Sequence, residues 1–279
     1  MNGELLMIGQ DKNIKTISNY IKQDELPRFN IILGGHGCGK TMLAKEMAKQ
    51  LNAIYVIMET KIADIRDMMI TAYKQNTKTV YIIPDGNNMS IGAKNALLKI
   101  TEEPPKQAYF VMEVTDLSNT LPTLISRACV FNIQPYTRLQ LIDYALKIKQ
   151  YGFNEDKMEK ILSVCNAPGD IDTLKDYDLD EFFRYVKLAT SKMGKVEGAN
   201  AFKLTSKLSL KNDDNLWDPR LFLRAVMNES VLRIKGEYDR RYYESIIATS
   251  RHINKLDIKG IHKLGIIDMW IFDMRKIWR

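Results

Sequence analysis

The chain has 279 residues, of which 45% are hydrophobic and 27% are charged, so it can bury a core and form two or three packed units. No apolar run reaches the roughly 18 to 20 residues that a membrane span needs, and residues 1–12 become polar before a signal-peptide core could form. We therefore expect a cytoplasmic protein with no membrane partner. The net charge of +7 permits contact with a polyanion but is too modest to indicate one.

Strands and helices alternate over the first 134 residues. Apolar residues at helical spacing predict helices over 13–22, 42–51, 62–74 and 90–100. Short β-rich runs predict strands over 29–33, 53–58, 79–83, 109–114 and 128–133. Such alternation is typical of a parallel sheet with helices on both faces, and we predict an α/β fold for this half.

The second half of the chain shows helical periodicity throughout. It predicts helices over 139–150, 157–165 and 181–193. The turn Asn166–Asp170 and the polar stretch Leu210–Asn215 are the natural breaks. We expect a small helical unit followed by a second helical unit.

A phosphate-binding loop stands between the first strand and the helix that follows it. Residues 34–41 match the pattern G-x-x-x-x-G-K-[ST], and the strand-loop-helix context is the one that the motif requires. Glycines let backbone N–H groups turn toward phosphates, Lys40 reaches the outer phosphates and the Thr41 hydroxyl ligates Mg²⁺. We predict that ATP and Mg²⁺ bind here, with nucleotide contacts from Gly35, His36, Gly37, Cys38, Gly39, Lys40, Thr41 and Met42.

The three cysteines are scattered and have no histidine at zinc-ligand spacing. Cys38, Cys129 and Cys165 form no C-x-x-C pair, so we expect neither a disulfide nor zinc. Within the phosphate loop, we interpret Cys38 as a small residue that fits a tight turn.

Several sequence motifs around the loop occur in the order that is typical of one protein family, and they resemble that family. They are Ile8-Gly9-Gln10 with Leu26-Pro27, Ile62–Asp67, Asn95–Pro105, Thr115-Asp116, and Ser126-Arg127-Ala128. Together they resemble the AAA+ clamp-loader subunits of bacterial DNA polymerase III, of the delta-prime or gamma/tau type, or a phage-encoded relative. The resemblance extends from residue 8 to about residue 175, and Ala128 stands where the family has a cysteine.

The resemblance implies both an architecture and residue roles. It implies an AAA+ nucleotide-binding domain over 1–135, a helical lid over 136–180 and a collar-like helical oligomerisation domain over 181–279. Ile8 and Gly9 would border the adenine pocket, and Thr115 would be the sensor 1 residue. Arg127 would be presented to the ATP of a neighbouring subunit.

The sequence departs from the family in two places. The family's third strand ends in Asp-Glu, whereas here it ends in Pro84-Asp85, so Asp85 alone remains to support Mg²⁺ or to orient water. The family's sensor 2 arginine is replaced by Asp172, with Lys175 as a nearby basic substitute. We therefore expect slow ATP hydrolysis by the isolated chain.

The resemblance also implies partners. These are other clamp-loader subunits or copies of the chain itself, a sliding clamp, and primed DNA contacted through its backbone, with Lys61, Arg66 and Lys94 as candidate DNA contacts. The leading hypothesis is an ATP-dependent clamp-loader subunit. The alternatives are a catalytically quiet stator that supplies Arg127, and a helicase loader or phage replication factor. A small-molecule kinase is the least favoured function, because it would not explain the motif at residues 95–105.

Overall fold

The computed structural model describes residues 7–191, 204–208, 217–236, 239–256 and 262–279. The predicted break at Leu210–Asn215 and the last two residues of the helix predicted over 181–193 lie outside these ranges. Contacts divide the chain into two compact units, Met1–Gln150 with Ala167–Gly169, and Tyr151–Asn166 with Asp170–Arg279. The division into three domains remains a prediction.

The first unit alternates strands and helices, as the sequence predicts. Its strands are β1 (Phe29–Leu33), β2 (Ile54–Ile57), β3 (Thr79–Ile83), β4 (Ala108–Val114) and β5 (Cys129–Asn132). Its helices are α1 (Asp11–Lys22), α2 (Lys40–Gln50), α3 (Ile62–Lys74), α4 (Ile91–Glu102), α5 (Pro122–Ile125) and α6 (Arg138–Asp143). A 3₁₀ turn at Gly86–Asn88 follows β3, and a π-helical turn at Tyr144–Ile148 follows α6. The predicted α/β fold is confirmed.

The five strands form one parallel sheet in the order β2-β3-β4-β1-β5. β4 lies between β3 and β1, with Ile83 paired to Met112 and Ile32 paired to Glu113. Because all the strands run the same way, the loops that follow β1, β3 and β4 leave the same edge of the sheet. Ligands bind at this edge in open α/β sheets.

The three central strands β3, β4 and β1 are buried on both faces, which explains why they are almost continuously apolar in sequence. One face packs with residues of α1 and α2, and the core there includes Ile32, Val80, Ile82, Val111, Leu43 and Met47. The other face packs with residues of α3 and α4, and its core includes Ile31, Tyr81, Ile83, Phe110, Met112, Ile65 and Leu97. The sheet is thus held rigidly from both sides beneath its carboxyl edge.

The described part of the second unit is helical. Its helices are α7 (Glu155–Leu162), α8 (Pro168–Leu174), α9 (Leu179–Ser191), α10 (Pro219–Gly236), α11 (Arg240–Leu256) and α12 (Lys263–Ile277), and residues 204–207 are helical as well. The first two residues of α8, Pro168 and Gly169, belong to the first unit. The predicted turn extended to Asp170, but α8 begins at Pro168, so the prediction was wrong for three residues. Proline is well suited to the first position of a helix. No helix within the described ranges is long and apolar enough to cross a membrane.

An aromatic cluster forms the centre of the second unit. The ring of Phe222 lies 5.6 Å from that of Phe182, 5.8 Å from that of Trp217 and 5.9 Å from that of Trp270, measured between centroids. Phe222 and Trp270 are completely buried. Rings at these spacings add about 0.5 to 1.5 kcal/mol per pair beyond their burial.

We expect Phe222→Ala to lower the free energy of unfolding of the second unit by about 3 to 5 kcal/mol, because it opens a cavity within this cluster. Urea unfolding followed by tryptophan fluorescence measures the change, since all three tryptophans of the chain lie in this unit. The matched control is Phe272→Ala on α12, where the side chain is 69% exposed and the expected change is within about 0.5 kcal/mol. Equal effects of the two substitutions would contradict the assignment of this core.

Candidate functional site

The phosphate loop lies at the carboxyl end of β1 and leads directly into α2. Gly37 and Gly39 have φ angles of 68° and 90°, a left-handed conformation that glycine adopts without strain. A Cβ atom added at Gly34 would lie 2.6 Å from Cys38 Sγ, whereas one added at Gly35 would meet nothing within 4 Å. The loop is therefore tight at its base and open at Gly35, as a phosphate cradle requires.

Lys40 lies over this loop. Its Nζ donates hydrogen bonds to the carbonyl oxygens of Gly34 at 2.8 Å and Gly35 at 2.7 Å. The ammonium group is thereby placed at the open part of the loop. A phosphate bound there would meet the cation and the N-terminus of α2 together.

Three further contacts hold the loop from its other sides. Tyr136 Oη donates to the carbonyl oxygen of Cys38 at 2.8 Å, and Cys38 Sγ donates to the carbonyl oxygen of Gly35 at 2.9 Å. The backbone N–H of Gly169 donates to the carbonyl oxygen of Gly37 at 3.0 Å. Burial raises the pKa of the Cys38 thiol, which suits the interpretation of Cys38 as a small turn residue.

The hydroxyl of Thr41 is bound to a carboxylate that the sequence analysis missed. Thr41 Oγ1 donates to Glu113 Oε2 at 3.0 Å. Glu113 is only 4% exposed, and its Oε1 atom is buried without a hydrogen-bond partner. Burial raises the pKa of this carboxyl, while Thr41 and Lys40 act in the opposite direction. The available signal was a single acidic residue within the otherwise apolar strand β4.

The segment after β3 carries Asp85 and is joined by an asparagine to Thr115, the predicted sensor 1 residue. Asp85 is exposed and adopts a left-handed conformation with φ of 50°. Asn87 Oδ1 accepts hydrogen bonds from the backbone N of Thr115 at 2.6 Å and from its Oγ1 at 3.1 Å, and Asn87 Nδ2 donates to the carbonyl oxygen of Asp116 at 2.8 Å. Asn87, which the sequence analysis also missed, thus ties the end of β4 to the end of β3.

The N-terminal segment is fixed to the end of β5. Gln10 is completely buried, donates to the carbonyl oxygen of Gln134 and accepts from its backbone N–H, both at 2.9 Å. Gly9 has φ of 71°, and both Ile8 and Gly9 are half-buried. Their place at the adenine remains a prediction, as do the nucleotide contacts of the exposed His36 and the half-buried Met42.

Arg127 is presented at the surface, just before β5. Its side chain is 41% exposed, its Nη1 donates to the carbonyl oxygen of Thr123 at 3.0 Å, and its Nη2 lies 3.7 Å from Glu102 Oε1. An exposed pair of this kind contributes little stability. Arg127 could exchange Glu102 for another anion at little cost.

Two of the three candidate DNA contacts are exposed and one is not. Lys61 and Arg66 are exposed at the start of α3. Lys94 is 5% exposed, and its Nζ donates to the backbone carbonyls of Asn87 and Asn119. The prediction of Lys94 as a DNA contact was wrong in this conformation, because its ammonium is turned inward to bind carbonyl oxygens. Lys99 of α4, which the sequence analysis did not select, is exposed and lines the same groove as Arg66.

Asp172, which the resemblance aligns with the family's sensor 2 arginine, is hydrogen-bonded within the second unit. Asp172 Oδ1 accepts a hydrogen bond from Tyr151 Oη at 2.7 Å. Lys175 Nζ lies 3.7 Å from Asp176 Oδ2 and 5.3 Å from the centre of the Tyr151 ring. The role of either residue toward nucleotide remains a prediction.

The residues at the loop fit Mg²⁺ held together with phosphates. The described ranges contain no group of three or more His, Cys, Asp or Glu residues arranged to hold a metal ion by themselves. Mg²⁺ typically takes one or two protein oxygen ligands and completes its shell with phosphate and water. The Thr41 hydroxyl and the partnerless Glu113 Oε1 supply oxygen atoms of this kind.

Comparisons with known proteins agree with the resemblance seen in the sequence. Residues 55–137 match the family model described as DNA polymerase III, delta subunit. The chain is 28% identical over 195 residues to DNA polymerase III subunit tau of Bacillus subtilis, a match that covers 58% of this chain and 35% of that protein. It is 26% identical over 195 residues to subunit gamma of a Buchnera aphidicola strain, covering 58% of this chain and 54% of that protein. The match thus spans about a third to a half of the length of these relatives.

Solved structures share the fold. A DNA polymerase III gamma subunit-related protein of Thermotoga maritima superposes with a TM-score of 0.53 at 15% identity, covering 96% of this chain and all of that one. The Holliday junction branch migration motor RuvB of the same organism superposes with a TM-score of 0.51 at 16% identity, covering 72% of this chain and 76% of that one. The chain therefore shares the fold of these two proteins, and the predicted resemblance to DNA polymerase III clamp-loader subunits is confirmed.

We expect Tyr136→Phe to lower the free energy of unfolding by about 1 kcal/mol at pH 8, because it removes the hydrogen bond to the Cys38 carbonyl. Burial, with Cys38 nearby, raises the pKa of Tyr136 from its ordinary value of 10 to about 12. The native state therefore favours the protonated hydroxyl. Its contribution is present below pH 10 and is lost as the pH rises toward 12.

Chemical denaturation of the wild type and the Tyr136→Phe variant between pH 8 and pH 12 measures this dependence. The difference between their unfolding free energies should shrink above pH 10. Tyr55→Phe is the control, since that side chain is 47% exposed and its loss should cause little change at any pH. A difference for Tyr136 that stays constant to pH 12 would contradict the proposed hydrogen bond.

Proposed function

We propose that the chain is an ATP-binding AAA+ subunit of a clamp-loader-like assembly, which couples ATP binding and slow hydrolysis to the loading of a sliding clamp on primed DNA. The observation that carries the proposal is the intact phosphate loop with Lys40 and Thr41 at the carboxyl edge of the sheet. It is supported by the resemblance to DNA polymerase III subunits. We further propose that the protein acts in the cytoplasm, where replication takes place in bacteria.

In this proposal each residue has a defined task. Lys40 binds the outer phosphates once it leaves the carbonyl oxygens of Gly34 and Gly35, and Thr41 holds Mg²⁺. Mg²⁺ supplies neutralisation of the phosphate charge. Thr115, oriented by Asn87, responds to the terminal phosphate, and Asp85 orients the attacking water.

Arg127 would complete a neighbouring site rather than its own. It is exposed and weakly paired, so it is available to a second subunit. A guanidinium placed against the transferred phosphoryl group stabilises the charge that develops there. The partners would be other AAA+ subunits or further copies of this chain.

DNA would be contacted through its backbone. The exposed Lys61, Arg66 and Lys99 lie on α3 and α4 or just before them. Contacts of this kind are independent of base sequence and weaken as salt is added.

A second candidate function is a catalytically quiet stator that binds nucleotide and supplies Arg127. Pro84 favours it, because Asp85 is then the one carboxylate at the end of β3 where two are expected. Asp172 also favours it, because an acidic side chain replaces the family's arginine and cannot supply a positive charge to the nucleotide. Its carboxylate accepts a hydrogen bond from Tyr151 instead. Both candidate functions predict that the chain binds nucleotide. They differ in whether it hydrolyses ATP.

Steady-state ATP hydrolysis by the wild type and Lys40→Ala separates these functions. Each protein is assayed alone and with primed DNA plus the clamp and clamp-loader subunits from the same source. We expect slow hydrolysis alone, stimulation of at least about tenfold in the mixture, and loss of both in Lys40→Ala, which removes the cation that binds the outer phosphates.

Lys49→Ala is the control for this assay, because Lys49 lies on the same helix with its side chain 60% exposed and should leave the rates unchanged. Tight ATP binding with no turnover in any mixture would support the stator. Absence of ATP binding by the wild type would contradict both functions.

We expect Arg127→Ala to leave ATP affinity unchanged and to reduce hydrolysis in the assembled mixture by about 100-fold or more. The reason is that Arg127 would act on a neighbour's nucleotide. Nucleotide titration measures the affinity and steady-state turnover measures the rate. Arg138→Ala, at an exposed position on α6, is the control, and unchanged turnover of the assembly with Arg127→Ala would contradict the role of Arg127.

A further inference from the structure

The side-chain carboxyl group of Glu113 is buried at a position where a charged group is energetically unfavourable. It is 4% exposed, near the end of the central strand β4, and one of its two oxygen atoms has no hydrogen-bond partner. Burying a carboxyl group whose hydrogen-bonding capacity is not satisfied is unfavourable. A buried polar atom without a partner calls for an explanation, and an ion absent from the structure is one of the usual ones.

The sheet register places Glu113 beside the position where a carboxylate is missing. Ile83 pairs with Met112, so the next step along the two strands sets Pro84 opposite Glu113. Neighbouring strands are about 4.8 Å apart. A carboxylate on β4 at this register therefore lies one strand away from the position that Pro84 occupies.

Glu113 also faces the correct side of the sheet. Alternate residues of a strand share a face, and Tyr109 and Val111 of β4 pack in the core on the α2 side. Glu113 continues that alternation, and its bond to Thr41 at the start of α2 agrees with it. Val80 and Ile82 lie in the same core, so position 84 shares this face as well.

The direction of the Thr41 bond leaves both partners able to bind a cation. The hydroxyl donates its only hydrogen to Glu113 Oε2, so its oxygen lone pairs remain available. Glu113 Oε1 is left over as a second hard oxygen atom.

We propose that Glu113 provides the carboxylate of the Mg²⁺ site at the phosphate loop, orienting the Thr41 hydroxyl with one oxygen and binding the cation or its water with the other. It replaces, from the neighbouring strand, the acidic residue that Pro84 excludes from the end of β3. The proposal rests on the proposed ATP-binding function and defines how that site holds its metal. Asp85 is then free to act on water alone.

The test is the affinity for ATP with Mg²⁺ and with EDTA, measured by calorimetry on the wild type and Glu113→Gln. With Mg²⁺ we expect the Kd of the variant to rise about 10- to 100-fold, as for other groups that position a metal and its ligands. With EDTA we expect an unchanged or lower Kd, because the variant no longer places an anion near the phosphates. A loss that requires Mg²⁺ is an effect that a purely structural role of Glu113 does not produce.

Two further variants make the result specific. Glu103→Gln, at an exposed residue just beyond α4, should change neither affinity. Pro84→Asp in the Glu113→Gln background should restore part of the Mg²⁺-dependent affinity, because a carboxylate returns beside Thr41 from β3. Thermal unfolding of each variant verifies that it is folded.

Three results would overturn the proposal. Equal weakening of ATP binding with Mg²⁺ and with EDTA would show that Glu113 only supports the loop. Unchanged affinity in both conditions would show that it has no part in the site. If the wild type binds no ATP in either condition, the proposed function fails and this inference fails with it, whereas the first two results leave the function standing.

Discussion

The hydrogen bond between Thr41 and Glu113 joins the phosphate loop to the centre of the sheet, and the arrangement of the candidate site depends on it. The two residues are 72 positions apart in sequence, and only the parallel order β3-β4-β1 brings them together. Because β4 is buried along its whole length, its end is a rigid support. The position of the loop is thus fixed by a residue that lies outside its own sequence motif.

The other groups of the candidate site lie at the same edge of the sheet. Lys40 covers the loop after β1, and Asn87 links the turn after β3 to Thr115 after β4. Arg127 stands before β5, exposed and turned to a weak surface partner. In the proposed function this division means that one chain binds nucleotide, while rapid hydrolysis requires an arginine from a neighbour. Slow turnover by the isolated chain then follows from the geometry as well as from Pro84.

Local patterns in the sequence predicted much of the fold and part of the site. The bounds of β1 and β3 were predicted correctly, because each is a mostly apolar run that follows a basic residue and ends at a glycine or a proline. The phosphate loop was predicted from a motif that is contiguous in the chain. Glu113 and Asn87 could not be found in this way, since their partners are set by strand register and by turns distant in sequence. The burial of Lys94 was also hidden, because a lysine on a helix is usually solvated and only the packed structure shows its carbonyl partners.

The most direct test of the account is a crystal structure of the chain with a non-hydrolysable ATP analogue and Mn²⁺ in place of Mg²⁺. The anomalous signal of Mn²⁺ locates the cation independently of the protein atoms. The account predicts triphosphate on the loop at residues 34–41, with a Mn²⁺ peak at the Thr41 hydroxyl and the Glu113 carboxylate bound to it directly or through one water. A peak held by Asp85 with Glu113 turned away would contradict the proposed metal site, and a loop without nucleotide at saturating analogue would contradict the proposed function.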